Sequence, residues 1–245
     1  MPNQLSRCFP LPKIRQAEQF TLADSANGKR IEQWINLYAQ DVNNWEPSEQ
    51  HALAHLIPLL LCGEQSAQLV FNQEINRLFL QNEKDNEVMI KSLLEVEADE
   101  FRHDQALQTV LKQLPNIEGK RHIQRQAKRF YAKLGRGDGR CQHFIKIATL
   151  DSCVTQLMHE FEHSLLGPKH PFALLCGLIK KDEAKHVYVA KHYAQALGAT
   201  TAMFKQDQRS VSDLLHQLLA TQAEHFDFLG VDLNKIFNTL EEKWQ

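Results

Sequence analysis

Glu97-Ala98-Asp99-Glu100-Phe101-Arg102-His103 interrupts a helical stripe that is otherwise apolar. Met89, Leu93, Val96, Glu100, His103, Leu107 and Val110 recur at the three- and four-residue spacing of one helix face. A face of that composition packs inward, so Glu100 and His103 are expected inside the protein. A carboxylate there is costly unless it is protonated, paired or bound to a metal.

The same anomaly recurs along the chain. Between Ala52 and Gln73 the only formally charged residue is Glu64, on the stripe Ile57, Leu60, Glu64, Ala67, Phe71. Farther on, Glu183 and His186 interrupt Cys176, Ile179 and Ala190. A fourth stripe reads Leu150, Cys153, Leu157, Glu160 and is apolar only up to the glutamate, since Ser164 follows. Glu162 lies off that line, so Glu160 is preferred and Glu162 is the alternative.

Metal chemistry accounts for the set. Residues three apart share a helix face, so Glu-x-x-His presents an oxygen and a nitrogen to one ion. The motif alone is weak, for it also occurs at Glu160/His163. The order carries the signal: Glu64, Glu100/His103, Glu160, Glu183/His186, each on a mainly apolar stripe. Six ligands suit two divalent ions, and four carboxylates balance four positive charges.

The chain around these stripes reads as all-α. Long helical patterns run from Pro47-Ser48 to about Asn82, from Asn86 to Leu114, from about Phe144 to Leu166, and from Pro171 to Leu197. Pro58 interrupts the first. The first and second patterns, and the third and fourth, are joined by short links, which make antiparallel neighbours. The link from Asn116 to His143 is long enough to cross from one end of a bundle to the other. A short helix is expected at about 29–41, and two more at about 210–229 and 232–243. The whole, 1–245, reads as a single domain: a core over 48–198, an N-terminal extension over 1–47, and a C-terminal helical extension over 199–245.

Composition excludes several classes. The formal net charge of −2 gives no global attraction to nucleic acid or membrane. The longest apolar run, Leu56 to Cys62, is too short to span a bilayer. The five cysteines, Cys8, Cys62, Cys141, Cys153 and Cys176, are widely spaced and contain no C-x-x-C, which predicts reduced thiols in a cytoplasmic protein and no thiolate metal site. No signal peptide is read in Met1 to Arg15.

Other residues have blander readings. Glu95, Glu97, Asp99 and Asp104 read as a solvated helix face, with Glu97 able to hydrogen-bond the site. His51 and His55 could bind a metal but read as surface or capping residues. Tyr188 and Tyr193 read as packing residues. In the crossover, Lys120, Arg121, Arg125, Lys128, Arg129, Lys133, Arg136 and Arg140 form a local basic run around Phe130 and Tyr131, with Arg136-Gly-Asp-Gly139 as a flexible loop. That run is either a solvated connector or a docking patch for RNA or an acidic carrier protein, with Arg125, Lys128 and Arg129 as the candidate contacts.

The segments Glu97–His103 and Asp182-Glu183-Ala184-Lys185-His186 resemble the Glu-x-x-His helices of the ferritin-like di-iron carboxylate superfamily, which includes ferritins, rubrerythrins, ribonucleotide reductase small subunits and acyl-carrier-protein desaturases. The resemblance covers about residues 50–195. It implies an all-α ferritin-like four-helix bundle with one long crossover and extra helices at both ends. It also implies two iron ions, with manganese or zinc possible substitutes in the isolated protein. Glu64 and Glu160 would be terminal ligands, Glu100 and Glu183 would bridge, and His103 and His186 would each cap one ion. Rubrerythrin's cysteine-rich module is missing, and the position of the reductase's radical tyrosine holds Leu107. The expected function is an oxidase or hydroxylase that uses O₂ and an electron donor on an organic substrate, small or carried on RNA or an acyl carrier. The alternative is a ferroxidase or iron-binding protein without an organic substrate.

Overall fold

Pro47 opens the longest helix of the chain because a proline at the first helical position gives up no hydrogen bond and already has the helical φ. In the computed structural model, which describes residues 7–12, 25–38, 41–81, 86–136 and 139–244, this helix, α2, runs Pro47–Gln81. It is preceded by α1 (Ala26–Tyr38) and a single 3-10 turn, Val42–Asn44. After it come α3 (Glu87–Leu111), α4 (Lys120–Leu134), α5 (Arg140–Glu162), α6 (Pro171–Ala196), α7 (Thr201–Ala220), α8 (Ala223–Phe228) and α9 (Leu233–Trp244). No strand occurs among the described residues, so the all-α expectation holds. None of these helices is long and apolar enough to cross a membrane.

Local chemistry sets several boundaries. α6 starts at Pro171, with His170 as the cap accepting from Phe172 N, and Thr200 caps α7 by accepting from Met203 N. That cap starts α7 nine residues before the expected 210. α5 stops at Glu162 rather than Leu166, because Leu165 N turns aside to bond Leu229 O. The crossover is itself helical: α4 is amphipathic, with Ile123 and Ala127 buried and Arg121, Arg125, Lys128 and Arg129 exposed. Half of the expected flexible loop, Gly137 and Asp138, lies outside the described residues, as do the 82–85 link and residues 1–6, 13–24 and 39–40 of the N-terminal extension.

α2 packs chiefly on α3, and α5 on α6, with α3 and α6 meeting between the pairs. α4 covers α2, α1 lies across α3 and α6, and α7 and α9 close over α5. Pro58 does not end α2. Apart from half-buried His55, residues 52–62 are buried, as expected for a helix enclosed by neighbours.

The core is divided into two apolar layers. One holds Leu53–Cys62 of α2, Ala106–Leu111 of α3, Cys153–Phe161 of α5 and Phe172–Ile179 of α6. The other holds Phe71–Leu78, Ile90–Val96, Phe144–Ala148 and Ala190–Ala194 of the same four helices. α2 and α6 pass from the first layer to the second, and α3 and α5 pass the opposite way. The link between α3 and α5 must therefore carry the chain back along the bundle, and α4 does this. Between the layers each helix contributes a few residues, and that interval holds the polar groups.

The expectation of five reduced thiols is corrected. Cys8 and Cys62 are joined in a disulfide, with Cα atoms 5.4 Å apart, while Cys141, Cys153 and Cys176 are free. Their sequence separation of 54 conceals the pairing, because Cys8 reaches α2 only through contacts of the N-terminal segment. Gln65 Oε1 accepts from Cys8 N at 2.8 Å, and Arg7 pairs with Asp104.

Candidate metal centre

Glu64 of α2, Glu100 and His103 of α3, and Glu183 of α6 converge in the interval between the layers. One donor atom from each lies within 4.8 Å of the others, and all four side chains are buried, so this group could hold a metal ion. His186 joins them, its Nδ1 3.2 Å from Glu100 Oε1 and 3.7 Å from Glu183 Oε2. The Nδ1 of His103 lies 3.2 Å from Glu64 Oε2 and 3.5 Å from Glu183 Oε1. Both histidines are wholly excluded from solvent. Five of the six residues singled out in the sequence are thus brought together.

The sixth is not. Glu160 lies beside α9, where Lys235 Nζ approaches its Oε2 at 3.0 Å. It sits at the level of the first apolar layer, about 14 Å along the α5 axis from the polar interval at 1.5 Å per residue. Glu162, the alternative, is also elsewhere: it pairs with Lys180 and packs against Gly177, where any Cβ would collide with its carboxylate. The carboxylate that α5 does contribute is Asp151. It is buried, and its Oδ2 has no hydrogen-bond partner. Its signal was present in the sequence, for Phe144, Ala148, Asp151 and Met158 form an inward stripe at offsets of seven, three and seven from Asp151.

Burial and mutual repulsion shape the electrostatics of the cluster. Burial, then Glu64 and Glu183, push the Glu100 carboxyl well above the ordinary range. Burial, then Glu183, do the same to Asp151. Glu183 would also be raised by burial, but His186 and His103 outweigh this and hold it at about 2. Four acids and two imidazoles thus share one enclosed volume, and protons must settle on some of the acids. Two divalent cations would neutralise all four carboxylates together and give the orphaned Asp151 oxygen a partner. The residues present therefore fit a bound metal.

A second ring of groups orients the first. Nε2 of His103 stands 3.2 Å from Asp182 Oδ2, and Nε2 of His186 stands 3.5 Å from Asp99 Oδ2. Each Asp immediately precedes the glutamate of the opposite Glu-x-x-His motif; Asp182 hydrogen-bonds the His103 ring, while Asp99 faces His186 at ion-pair distance and both His186 nitrogens are left without a hydrogen bond. Asp99 is tied in turn to Arg102 at 3.2 Å and to Lys185. Burial alone would raise Asp99, but His186 and Lys185 overcome it and hold the carboxyl at about 2.

The solvated-face reading is corrected for Asp99 and Asp104, each about 1% exposed. Asp104 is buried with Gln65, Gln108 and Arg7 around it. Glu95 is exposed as expected, and Glu97 accepts from Asn72 Nδ2 at 2.9 Å. Of the two tyrosines on α6, Tyr193 packs on Phe144, while Tyr188 is exposed instead of packed.

The tyrosine nearest the site comes from α4. The Tyr131 hydroxyl lies against Gly63, where a Cβ would meet it at 2.8 Å. Burial, then Glu64, Glu183, Glu100 and Asp151, raise its pKa. A pocket opens beside it, walled by Ala67, Val70, Phe71, Leu134, Ile147 and Leu150, with Asp151 at its lining and His143 and Lys146 among its polar residues. In comparison with known proteins, the chain matches no family model, no curated protein and no solved structure.

Proposed function

We propose that this protein is a ferritin-like di-iron carboxylate oxidase or hydroxylase that uses O₂ on an organic substrate. The supporting observation is the polar layer itself: four buried carboxylates and two buried histidines, from four helices running in alternate senses, enclosed between two apolar layers. In this reading Glu64, Glu100, His103, Asp151, Glu183 and His186 hold two iron ions, with Asp151 in the role expected of Glu160. When bound, a ferrous pair supplies the electrons and open coordination positions through which O₂ is reduced.

The chain's own residues do the rest. Asp182 and Asp99 hold the imidazoles in one orientation with Nδ1 facing inward. The apolar layers exclude water. The mainly apolar pocket lined by Tyr131 and Asp151 would suit an organic molecule held beside the α5 carboxylate, which supports an oxygenase over a ferroxidase. Tyr131 lines the pocket with its hydroxyl against Gly63, the residue before Glu64, and in this reading that hydroxyl would position a substrate or donate a hydrogen bond. Such a reaction would need an external electron donor.

α4 links this pocket to the outer surface. It carries Tyr131 inward and Arg125, Lys128 and Arg129 outward, which supports a substrate presented on a polyanion such as RNA or an acidic carrier protein. Such docking would weaken steeply with salt. A pull-down at low and high salt, with and without Arg125→Glu, Lys128→Glu and Arg129→Glu, tests that part.

The test of the whole is single turnover. Ferrous-loaded protein is mixed with O₂ in the presence of a cell extract, followed by optical spectroscopy and mass spectrometry. A transient metal-centred absorption and a product heavier by one oxygen, or lighter by two hydrogens, support the proposal. Iron oxidation with mineral growth and no organic product would instead identify the ferroxidase.

A further inference from the structure

We propose that His51, His55 and His225 form a second metal site, separate from the buried cluster, that takes one borderline transition-metal ion such as Zn²⁺. His51 and His55 are one turn apart on α2, and His225 comes from α8. One nitrogen of each lies within 4.8 Å of the others. The ring centroids of His51 and His55 are 5.0 Å apart, and those of His55 and His225 are stacked at 3.9 Å. Ligand nitrogens about 2.0–2.1 Å from a tetrahedral ion are roughly 3.4 Å from one another. One of the three imidazoles is exposed and two are half-buried, so the rings have room to turn, and binding would require the stacked His55 and His225 rings to rotate apart so that both face the ion.

The surrounding hydrogen bonds already select the tautomer a metal needs. Gln222 Nε2 donates to Thr221 O at 2.7 Å, which leaves its Oε1 facing His55 Nδ1 at 3.1 Å. That oxygen can only accept, so Nδ1 carries the hydrogen and the lone pair of His55 is on Nε2. An imidazole oriented through its second nitrogen is the usual arrangement around a metal-bound histidine. α8 is also held in place independently: Phe226 is buried, and Val231 N bonds Phe226 O.

The other exposed histidine cluster does not qualify. His159, Glu162 and His163 also approach one another, but Lys180 Nζ pairs with Glu162 and lies 3.4 Å from His159 Nδ1. A cation already occupies that position. Among the described residues no lysine or arginine pairs with the His51, His55 or His225 rings, and Glu224 stands 3.6 Å from His225 Nε2.

The donor sets also separate the two sites by metal. Three imidazoles favour Zn²⁺, Co²⁺, Ni²⁺ or Cu²⁺ over hard cations, whereas the buried site is carboxylate-rich. His55 is nine residues before Glu64, about 14 Å along α2 at the helical rise, so each site can fill without the other. A bound ion would tie α8 to α2.

The experiment is calorimetric titration with Zn²⁺ of protein lacking any histidine tag, as wild type and as a His51→Ala/His225→Ala double variant. The buried cluster is left intact in both. The wild type should bind one more Zn²⁺ equivalent than the double variant, and the missing equivalent should be at least 100-fold weaker. Gln222→Leu should weaken the same equivalent about 10- to 100-fold, as loss of an orienting partner does. Co²⁺ titration gives a second readout, with visible bands assigned to nitrogen ligation present in the wild type and reduced in the variant. Equal Zn²⁺ stoichiometry and affinity in wild type and double variant would overturn the proposal, as would identical Co²⁺ spectra.

Discussion

Asp182 of α6 stands 3.2 Å from the Nε2 of His103 on α3, and through this contact one Glu-x-x-His motif supports the other. The arrangement is reciprocal, since Asp99 of α3 faces the Nε2 of His186 on α6 at 3.5 Å. Each histidine therefore turns its Nε2 toward an acid on the opposite helix and its Nδ1 toward the buried glutamates. Asp182→Asn keeps the volume but loses the charge that holds the imidazole. It should lower metal affinity about 10- to 100-fold with little change in helicity. Competition against a chelator, with circular dichroism as the folding control, measures this. Unchanged affinity would mean that the bracing is incidental.

Asp151 and Glu160 share α5 but not the site. Asp151→Asn should markedly reduce retained metal. Glu160→Ala should leave metal content unchanged and cost about 0–1 kcal/mol of stability, the usual worth of a surface ion pair such as that with Lys235. Glu162→Ala should likewise retain the metal, since its partner is Lys180. Metal analysis of the three variants decides it. Loss of metal from Glu160→Ala and not from Asp151→Asn would reverse the assignment.

Gly63 and Tyr131 are coupled by contact. A methyl group at Gly63 would meet the Tyr131 hydroxyl at 2.8 Å and its ring carbon at 3.3 Å. Gly63→Ala should therefore destabilise the protein by roughly 1–3 kcal/mol, the range for overpacking. Tyr131→Phe removes the nearer atom, so the same Gly63→Ala change should cost less in that background. Chemical denaturation of the four proteins in a double-mutant cycle gives the coupling directly. Strict additivity would show that the two residues do not press on each other.

The Cys8–Cys62 bond closes a loop with a sequence separation of 54. Loop-closure entropy assigns such a cross-link about 4 kcal/mol. Reduction, or Cys8→Ser, should lower the unfolding midpoint accordingly and free the N-terminal segment from Gln65, the neighbour of Glu64. Thermal unfolding with and without reductant, alongside thiol counting, tests this. Five titratable thiols in the native oxidised protein would contradict the bond.

Much of the site was legible because burial and helical spacing coincide at Glu64, Glu100, His103, Glu183 and His186. Each of these carries its charge in the middle of an apolar face, an expensive placement that points to chemistry. α5 misled because two inward stripes overlap on it. The line through Leu150 and Leu157 ends at Glu160, and the line through Phe144 and Ala148 contains Asp151. Spacing along one helix does not reveal axial level, and only the alignment of all four helices shows that Asp151 is level with Glu64 and Glu183. Asp99 and Asp182 were hidden for a related reason, since an acid next to a ligand looks solvated until the opposite helix is in place. Tyr131 and Cys8 reach α2 beside the site from segments outside the four main helices, and local periodicity says nothing about where such segments fold back.

The central claim is that this polar layer holds a pair of ions, and metal counting after anaerobic reconstitution with ferrous iron tests it most directly. The account predicts about two iron equivalents per chain in the wild type. It predicts loss of the pair when Glu100 or Glu183 is changed to alanine. One equivalent or fewer in protein with native helicity would contradict it.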